Sequence, residues 1–456
     1  MSPEKSQTTR LLCASAFLRG SQFIEKVLGY LESESHGVSP ELGVDIGLVA
    51  MVCQYAKNRA KLFTLYLFIT LMVSLIILFL DFRLWIISFV FSTSVVYFRK
   101  IYGARVDLAS KFREENFSTT CPDDQLFAQL DARAISALPR ENQNLIVYTG
   151  FAPFTGAGMD LGGWSFAVDI SRSSSKDGER CAVIPFNVEE LYGAIDADLL
   201  ASGLAGLVIQ DFYFVNGREI RQDHEILPNI YGRPKQQLSS SRAKRYLSDS
   251  DTRVRHYRWV RVHEWSQELV VSCFLRFSIR GNRLFIEINR FLLTPLADEY
   301  RQIDEKPLAR SSDLILMSIE SLLAGPVCAL FTPLLLLGVL SDSAEDLFGF
   351  KERGRRRTID DNLLFNFGSG YSLRHRFSSA QYAHYYQKTD SDFIRKTLES
   401  TIIDTIVSFL NDHQVDTSSL RERQTMILNS GIIVHGGDVK AETLAVGSGA
   451  QASRIA

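Results

Sequence analysis

At 456 residues the chain is too long for one ordinary hydrophobic core, so two or more folded units are expected. A formal net charge of −2 and a pI near 6.5 exclude a global pull toward nucleic acid or anionic lipid, so any such binding has to come from a local patch. The six cysteines, Cys13, Cys53, Cys121, Cys181, Cys273 and Cys328, are far apart and show no CxxC or Cys/His ligand spacing, so they read as free thiols in a reducing compartment.

The first unit, residues 1–57, reads as helical. Leu11, Leu12, Ala16 and Phe17, then Phe23, Val27, Leu28 and Leu31, recur at a spacing that makes one apolar stripe per helix. Pro3, Glu4 and Lys5 followed by polar residues lack the order of a cleavable signal peptide, so the next segment is expected to direct membrane insertion itself.

That segment, residues 58–105, is the strongest signal in the chain. Leu62 to Leu80 carries no charge, and at about 1.5 Å per residue it spans roughly the 30 Å hydrocarbon layer. Asp81, Phe82 and Arg83 separate it from a second apolar run, Leu84 to Phe98, with Trp85 and Tyr97 placed for the two interfaces. Lys57, Arg59 and Lys61 precede the pair, and Arg99, Lys100 and Arg105 follow it. A membrane hairpin with both termini cytoplasmic is therefore expected, the alternative being a buried helical hairpin in a soluble protein. Residues 106–140 read as a helical connector.

From residue 141 to 300 the pattern predicts an α+β domain built on an antiparallel sheet. A strand at Leu145–Tyr148 runs into a glycine-rich loop with Gly150, Gly156, Gly158, Gly162 and Gly163. The loop resembles a dinucleotide motif, but Leu161 stands in place of the third glycine, no P-loop lysine follows, and Trp164, Phe166, Val168 and Ile170 alternate as in a strand. A hairpin or plain connection is thus expected. A strand is predicted around Cys181–Ile184, and Asn187 with Glu190 forms a capping box opening a helix to about Leu200. Leu207–Val215 closes at Asn216–Gly217, residues 218–252 read as a polar loop, and Arg253–Leu293 reads as an antiparallel meander. The lack of regular βαβ alternation argues against a parallel sheet.

Residues 301–341 contain a second apolar stretch, Leu322–Leu340, long enough to span yet interrupted by Pro326 and Pro333. A third span would put Lys351, Arg353, Arg355, Arg356 and Arg357 of the basic linker, 342–365, on the wrong side of the membrane. An interfacial or re-entrant segment is expected instead. Residues 366–430 read as helical, centred on Asp390–Asn411. The tail, 431–456, reads as a short glycine-turned β ribbon that packs on this protein or on a second copy, which makes a homo-oligomer the expected state.

Two clusters carry candidate chemistry. Asp223, His224 and Glu225, with His256, His263 and Glu264 as further contributors, have the residue types of a metal or acid–base site, but His256 and His263 differ by an odd number and face opposite sides of one strand. Arg242, Lys244, Arg245, Arg253, Arg255, Arg258 and Arg261, with Tyr257 and Trp259 interleaved, form a candidate anion-binding patch for a nucleotide or an anionic lipid headgroup. No GxSxG, HExxH, Walker lysine or kinase set is present. No cofactor, metal or catalytic residue is assigned.

Several stretches carry a resemblance: RLLCASAFL at 10–18, SPELGVDI at 39–46, PFTGAG at 153–158 with the WSFAV that follows, RFSIRGNRLFIEI at 276–288, YYQKTD at 385–390 and 415–450. Together with the hairpin, they make the chain resemble a family of uncharacterised actinomycete two-helix membrane proteins of unknown function. The resemblance implies a bacterial cytoplasmic-membrane protein and transfers no functional residue. The expected function is a non-enzymatic integral membrane protein that binds an unidentified protein partner or self-associates. Two alternatives stand beside it: a membrane-acting effector of a bacterial stress or defence system, and a membrane-tethered nucleotide-binding or hydrolytic enzyme using the Gly156 loop and Asp223–Glu225.

Overall fold

Side-chain caps start three of the four helices that open the chain in the computed structural model, which describes residues 6–33, 35–79, 81–117, 142–176, 179–180, 182–248, 253–305 and 311–422. Helix α1 (Gln7–Leu18) begins where the Ser6 hydroxyl accepts from Thr9 N at 3.2 Å, and α2 (Ser21–Glu32) follows after one short turn. Helix α3 (Ile46–Leu78) begins at Asp45, whose carboxylate accepts from Leu48 N at 3.0 Å. Helix α4 (Phe82–Tyr102) begins at Asp81, which accepts from Arg83 N at 2.7 Å. The charged residue that parts the two apolar runs is thus the cap that lets the chain reverse. Leu11, Phe23, Val27 and Leu31 of the first two helices and Val49 and Val52 of α3 form one core, which Leu296, Tyr300, Ile303, Leu373 and Phe377 complete from far along the chain.

The second body is a six-stranded sheet in the order β1-β5-β6-β7-β8-β2. Its strands are β1 (Leu145–Tyr148), β2 (Met159–Asp169), β5 (Leu207–Asn216), β6 (Val254–Glu264), β7 (Leu269–Arg280) and β8 (Arg283–Leu293). A two-residue hairpin, β3 (Ser175–Lys176) with β4 (Glu179–Arg180), lies apart from it, and residues 182–187 are not strand, contrary to the expectation at Cys181–Ile184. Every pairing in the large sheet is antiparallel except β1 with β5, where Leu145 lies beside Tyr213 and Val147 beside Val215. This corrects the expectation of a wholly antiparallel sheet, since period-two patterning reveals a strand but not which neighbour it takes or in which direction.

Helix α5 (Val188–Ala201), opened by the Asn187 cap at 2.9 Å from Glu190 N, covers one face of the sheet together with α9 (Tyr385–Asp412). Leu191, Ile195, Leu398, Ile402 and Ile406 pack there on Val260, Cys273, Leu275 and Ile286. The other face holds an aromatic cluster of Phe212, Phe214, Tyr257, Trp259 and Phe274, into which Phe154 of the glycine-rich loop is inserted, its ring stacked 4.3 Å from Phe274. Gly158 sits at φ +104°, and a Cβ there would fall 2.2 Å from the Leu292 carbonyl oxygen. Gly158 therefore serves close packing of backbone on the sheet edge, where any side chain would push the loop away.

Besides a few short helical turns, three further helices are described: α6 (Ser240–Ser248) in the polar stretch read as loop, α7 (Ser311–Phe348) and α8 (Phe350–Asp361). Helix α7 replaces the expected 301–341 segment with one longer helix that contains Pro326 and Pro333. Three helices rather than two are therefore long and apolar enough to cross a membrane: α3, α4 with its extension to Val106, and Ser312–Gly338 of α7. The β tail expected at 431–456 and most of the connector at 106–140 lie outside the described residues.

Candidate anion-binding groove and apolar helices

The basic patch expected from the sequence is divided by the sheet. Strand β6 sends alternate residues to opposite faces, so Arg258 points under α5 while Arg253, Arg255 and Arg261 take the other side. Arg258 lies between Asp196 at 2.7 Å and Asp211 at 3.0 Å, with its guanidinium 4.9 Å from the Tyr192 ring centre. Arg261 donates to Gln210 Oε1 at 2.7 Å and stacks 4.9 Å over Trp259. Burial lowers its pKa to about 10, the mark of an arginine held in the fold rather than offered to a ligand. Arg242 is paired with Asp223 at 3.0 Å and Glu225 at 3.1 Å. Lys244 and Arg245 lie exposed on α6. Of the seven residues, only Arg255 belongs to the groove described next.

The remaining polar candidates serve local structure. Asp223 Oδ1 accepts from the backbone N of Glu225 at 3.1 Å and of Ile226 at 3.2 Å, so it closes a turn as well as binding Arg242. Burial alone would raise its pKa, and these bonds hold it below the usual carboxylate range instead. His256 is buried under the helices at 2.7 Å from Asp211, whereas burial and the neighbouring Arg261 push His263 down to about 4. Among the described residues no group of three or more His, Cys, Asp or Glu side chains is placed to hold a metal ion.

What the fold does bring together is a groove of about 710 Å³ on the sheet face that α5 and α9 leave open. Its floor is the polar end of the face whose other end is the aromatic cluster. Arg255 enters from β6, Arg276 and Arg280 from β7, and Arg283, Glu287 and Asn289 from β8, with Ser165 and Ala167 of β2 forming the far wall. In the ladder Arg276 faces Glu287 and Arg280 faces Arg283. Glu287 is already shared: Tyr257 donates to it at 3.0 Å, Asn289 at 3.0 Å and Arg276 at 3.4 Å. Arg255, Arg280 and Arg283 form no ion pair within 4 Å among the described residues, so the groove is a cationic strip with one internal carboxylate. Arg276, Arg280 and Arg283 stood in the sequence as ordinary strand and turn residues. The only signal was two arginines four apart on one strand, hence on one face, and a third at the start of its partner.

The apolar helices form a second assembly. Leu67 and Leu71 of α3, Phe89 of α4 and Ala329 of α7 share a small core. A Cβ on Gly325 would lie 2.8 Å from the Thr93 carbonyl oxygen and 2.9 Å from Ser94 Cα, so the missing side chain lets α7 and α4 touch backbone to backbone. The outer side of α7 is bare, with Phe331, Leu334, Leu335 and Leu337 exposed. Both flanks of α7 nonetheless return to the folded body. Ile303 before it is buried in the α1–α3 core, and Ile359 after it is buried against the β1–β5 edge with Val147 and Tyr213. Arg221 donates to the Ile359 carbonyl at 3.1 Å and Tyr231 to Asp360 at 2.8 Å.

Compared with known proteins, the chain matches the family described as AbeC-like domain over residues 163–440. The match begins inside β2, so it takes in the groove strands β6–β8 and helix α7 but leaves out the α3–α4 hairpin. No curated protein and no solved structure matches the chain.

Proposed function

The chain belongs to the AbeC-like domain family, and from that premise we propose a non-enzymatic integral membrane protein of the bacterial cytoplasmic membrane that takes up an anionic partner in the sheet groove. Helix α7 is the element through which occupancy of the groove reaches the bilayer. The observation that carries this reading is that the two flanks of α7 join one folded body. The α1–α3 core, the sheet and α9 are packed together, so they share one side of a membrane. Helices α3 and α4 leave that side and return to it. An apolar helix that also leaves and returns does not make a single crossing, whatever its length, so the count of complete crossings is even. Pro326 and Pro333 inside the helix favour a bent, re-entrant path over a straight span. Lys57, Arg59, Lys61, Arg99, Lys100 and Arg105 at the near end make that side cytosolic by the positive-inside rule.

Single cysteines test the path. Arg353→Cys after α7 and Glu25→Cys before α3 are expected to react with a membrane-impermeant maleimide in inverted vesicles only, and Asp81→Cys in right-side-out vesicles only. Labelling of Arg353→Cys opposite to Glu25→Cys would establish three crossings and end the re-entrant reading.

The bare outer side of α7 favours a second reading, the membrane-acting effector, in which the helix moves further into the bilayer when the domain is engaged. It predicts dye release from liposomes on engagement of the groove, abolished when Leu334–Leu337 are replaced by serine. Release unaffected by that replacement would remove α7 as the acting element. The enzyme alternative draws no support from its glycine loop, where Phe154 stacks on Phe274 and Gly158 lies against the Leu292 backbone.

A further inference from the structure

A cavity of about 1060 Å³ opens between α2, α3 and α4 at the foot of the apolar helices. Its apolar part is lined by Phe63, Tyr66, Ile69 and Val95, all within the two apolar runs. Its mouth carries Lys57, Arg59, Arg99 and Lys100, where both runs end, with Lys351 of α8 beside them. Against these cations stand Glu25 and Glu32, of which Glu32 lies 3.9 Å from Lys57. The amine of Lys100 sits 4.3 Å from the centre of the Phe63 ring, on the boundary between the apolar depth and the basic mouth. Arg59 lies against Gly103, where a Cβ would come within 2.1 Å of its Nη2, so the absent side chain on α4 makes room for the guanidinium.

We propose that this cavity binds one anionic glycerophospholipid, its phosphate at the Lys57, Arg59, Arg99 and Lys100 mouth and an acyl chain along Phe63, Tyr66 and Ile69. The assignment rests on the reading of α3–α4 as a membrane hairpin. At that depth the apolar part is filled by a bilayer molecule, because water there leaves the apolar walls wetted. A soluble anion would satisfy the mouth and leave the depth empty. A zwitterionic lipid would fill the apolar part but bring no net negative charge to a mouth lined by five cations and two glutamates. The cleft is open along its apolar side, where Tyr66, Ile69 and Val95 are exposed, so an acyl chain enters it from the bilayer while the cations of the mouth hold the phosphate.

The test is native mass spectrometry of the full chain taken from nanodiscs of equal phosphatidylglycerol and phosphatidylcholine content. One retained phosphatidylglycerol per chain is expected, at least tenfold in excess over phosphatidylcholine. Lys57→Gln, Arg99→Gln and Lys100→Gln together are expected to erase the preference. Ile69→Trp, which fills the depth and leaves the mouth intact, is expected to lower retention of either lipid. Equal retention of the two lipids, retention unchanged by both variants, or displacement by millimolar inorganic phosphate alone would overturn the assignment. Extraction of the protein from membranes by alkaline carbonate is read separately. Release there would mean that the hairpin reading itself has failed, whereas a retained protein without bound phosphatidylglycerol would mean that only the lipid site has.

Discussion

Replacing Arg374 by alanine is expected to cost about 3–5 kcal/mol of stability, read as a shift of the urea midpoint, because it leaves a buried network without its cation. Arg374 is fully buried and its Nη2 donates to the Glu268 carbonyl at 2.7 Å and the Thr294 carbonyl at 2.8 Å, at the ends of β7 and β8. Its own turn is held from the other side by Glu41, which accepts from Leu373 N at 2.9 Å, Arg374 N at 2.8 Å and the Ser372 hydroxyl at 2.9 Å. Glu41 belongs to the loop that enters α3, so this pair couples the foot of the hairpin to the sheet. Burial pushes the Glu41 carboxyl from its ordinary 4.5 up to about 7, against the opposing pull of those donors. A proton held more tightly in the fold than in the unfolded chain stabilises most below the unfolded value, and that stabilisation is lost as pH rises through the folded one. Stability is therefore expected to fall by about 3 kcal/mol between pH 4.5 and 7 and to level off above. Glu41→Gln, which cannot titrate, is expected to flatten that slope. A slope that persists in Glu41→Gln would assign it to another group.

Charge reversal in the groove is the second large effect. Arg255→Glu with Arg283→Glu changes two exposed side chains that form no ion pair within 4 Å among the described residues, although Arg283 lies opposite Asp169 in the β2–β8 ladder, so the fold is expected to lose no more than about 1 kcal/mol. Binding of an anionic probe to the same surface is expected to fall at least tenfold, and its dependence on salt to become shallower, because two phosphate-facing cations are lost. With ATP as the probe, fluorescence anisotropy in 50 and 200 mM salt reads both quantities. Arg242→Glu, on the patch that the sequence favoured, serves as the comparison. Its partners Asp223 and Glu225 lie away from the groove, so it should lower stability and leave binding unchanged. Equal loss of binding in both variants would mean that the probe follows net charge rather than the groove.

The difference between those two surfaces shows where sequence reading reaches its end. Arg258 and Arg261 are three apart in one strand, so even local alternation places them on opposite faces, and the face that is covered depends on α9, more than a hundred residues away. Arg276 faces Glu287 and Arg280 faces Arg283 only because β7 and β8 pair in one register. A run of basic residues marks charge density along the chain, while a binding surface depends on which side chains the pairing leaves uncovered.

Local physics was enough for several of the elements, though not for α6 and α8, read as loop and linker, nor for the strand expected at Cys181–Ile184. Two uncharged runs parted by a capping Asp81, the Asn187 cap of α5 and the alternation of β6 to β8 are all determined within a few residues, because desolvation of a run, a helix terminus and a pleat act over that range. Tertiary structure alone decided that β1 lies parallel to β5, that Phe154 fills the aromatic face and that Glu41 and Arg374 meet across more than three hundred residues. It also decided that Ile359 comes back to the body Ile303 leaves, so that length and hydropathy, which say that α7 is long and apolar enough to cross a membrane, are silent on whether it crosses one. The reason is common to all four: each depends on the free energy of a contact between distant segments, and composition within a window carries no record of its partner.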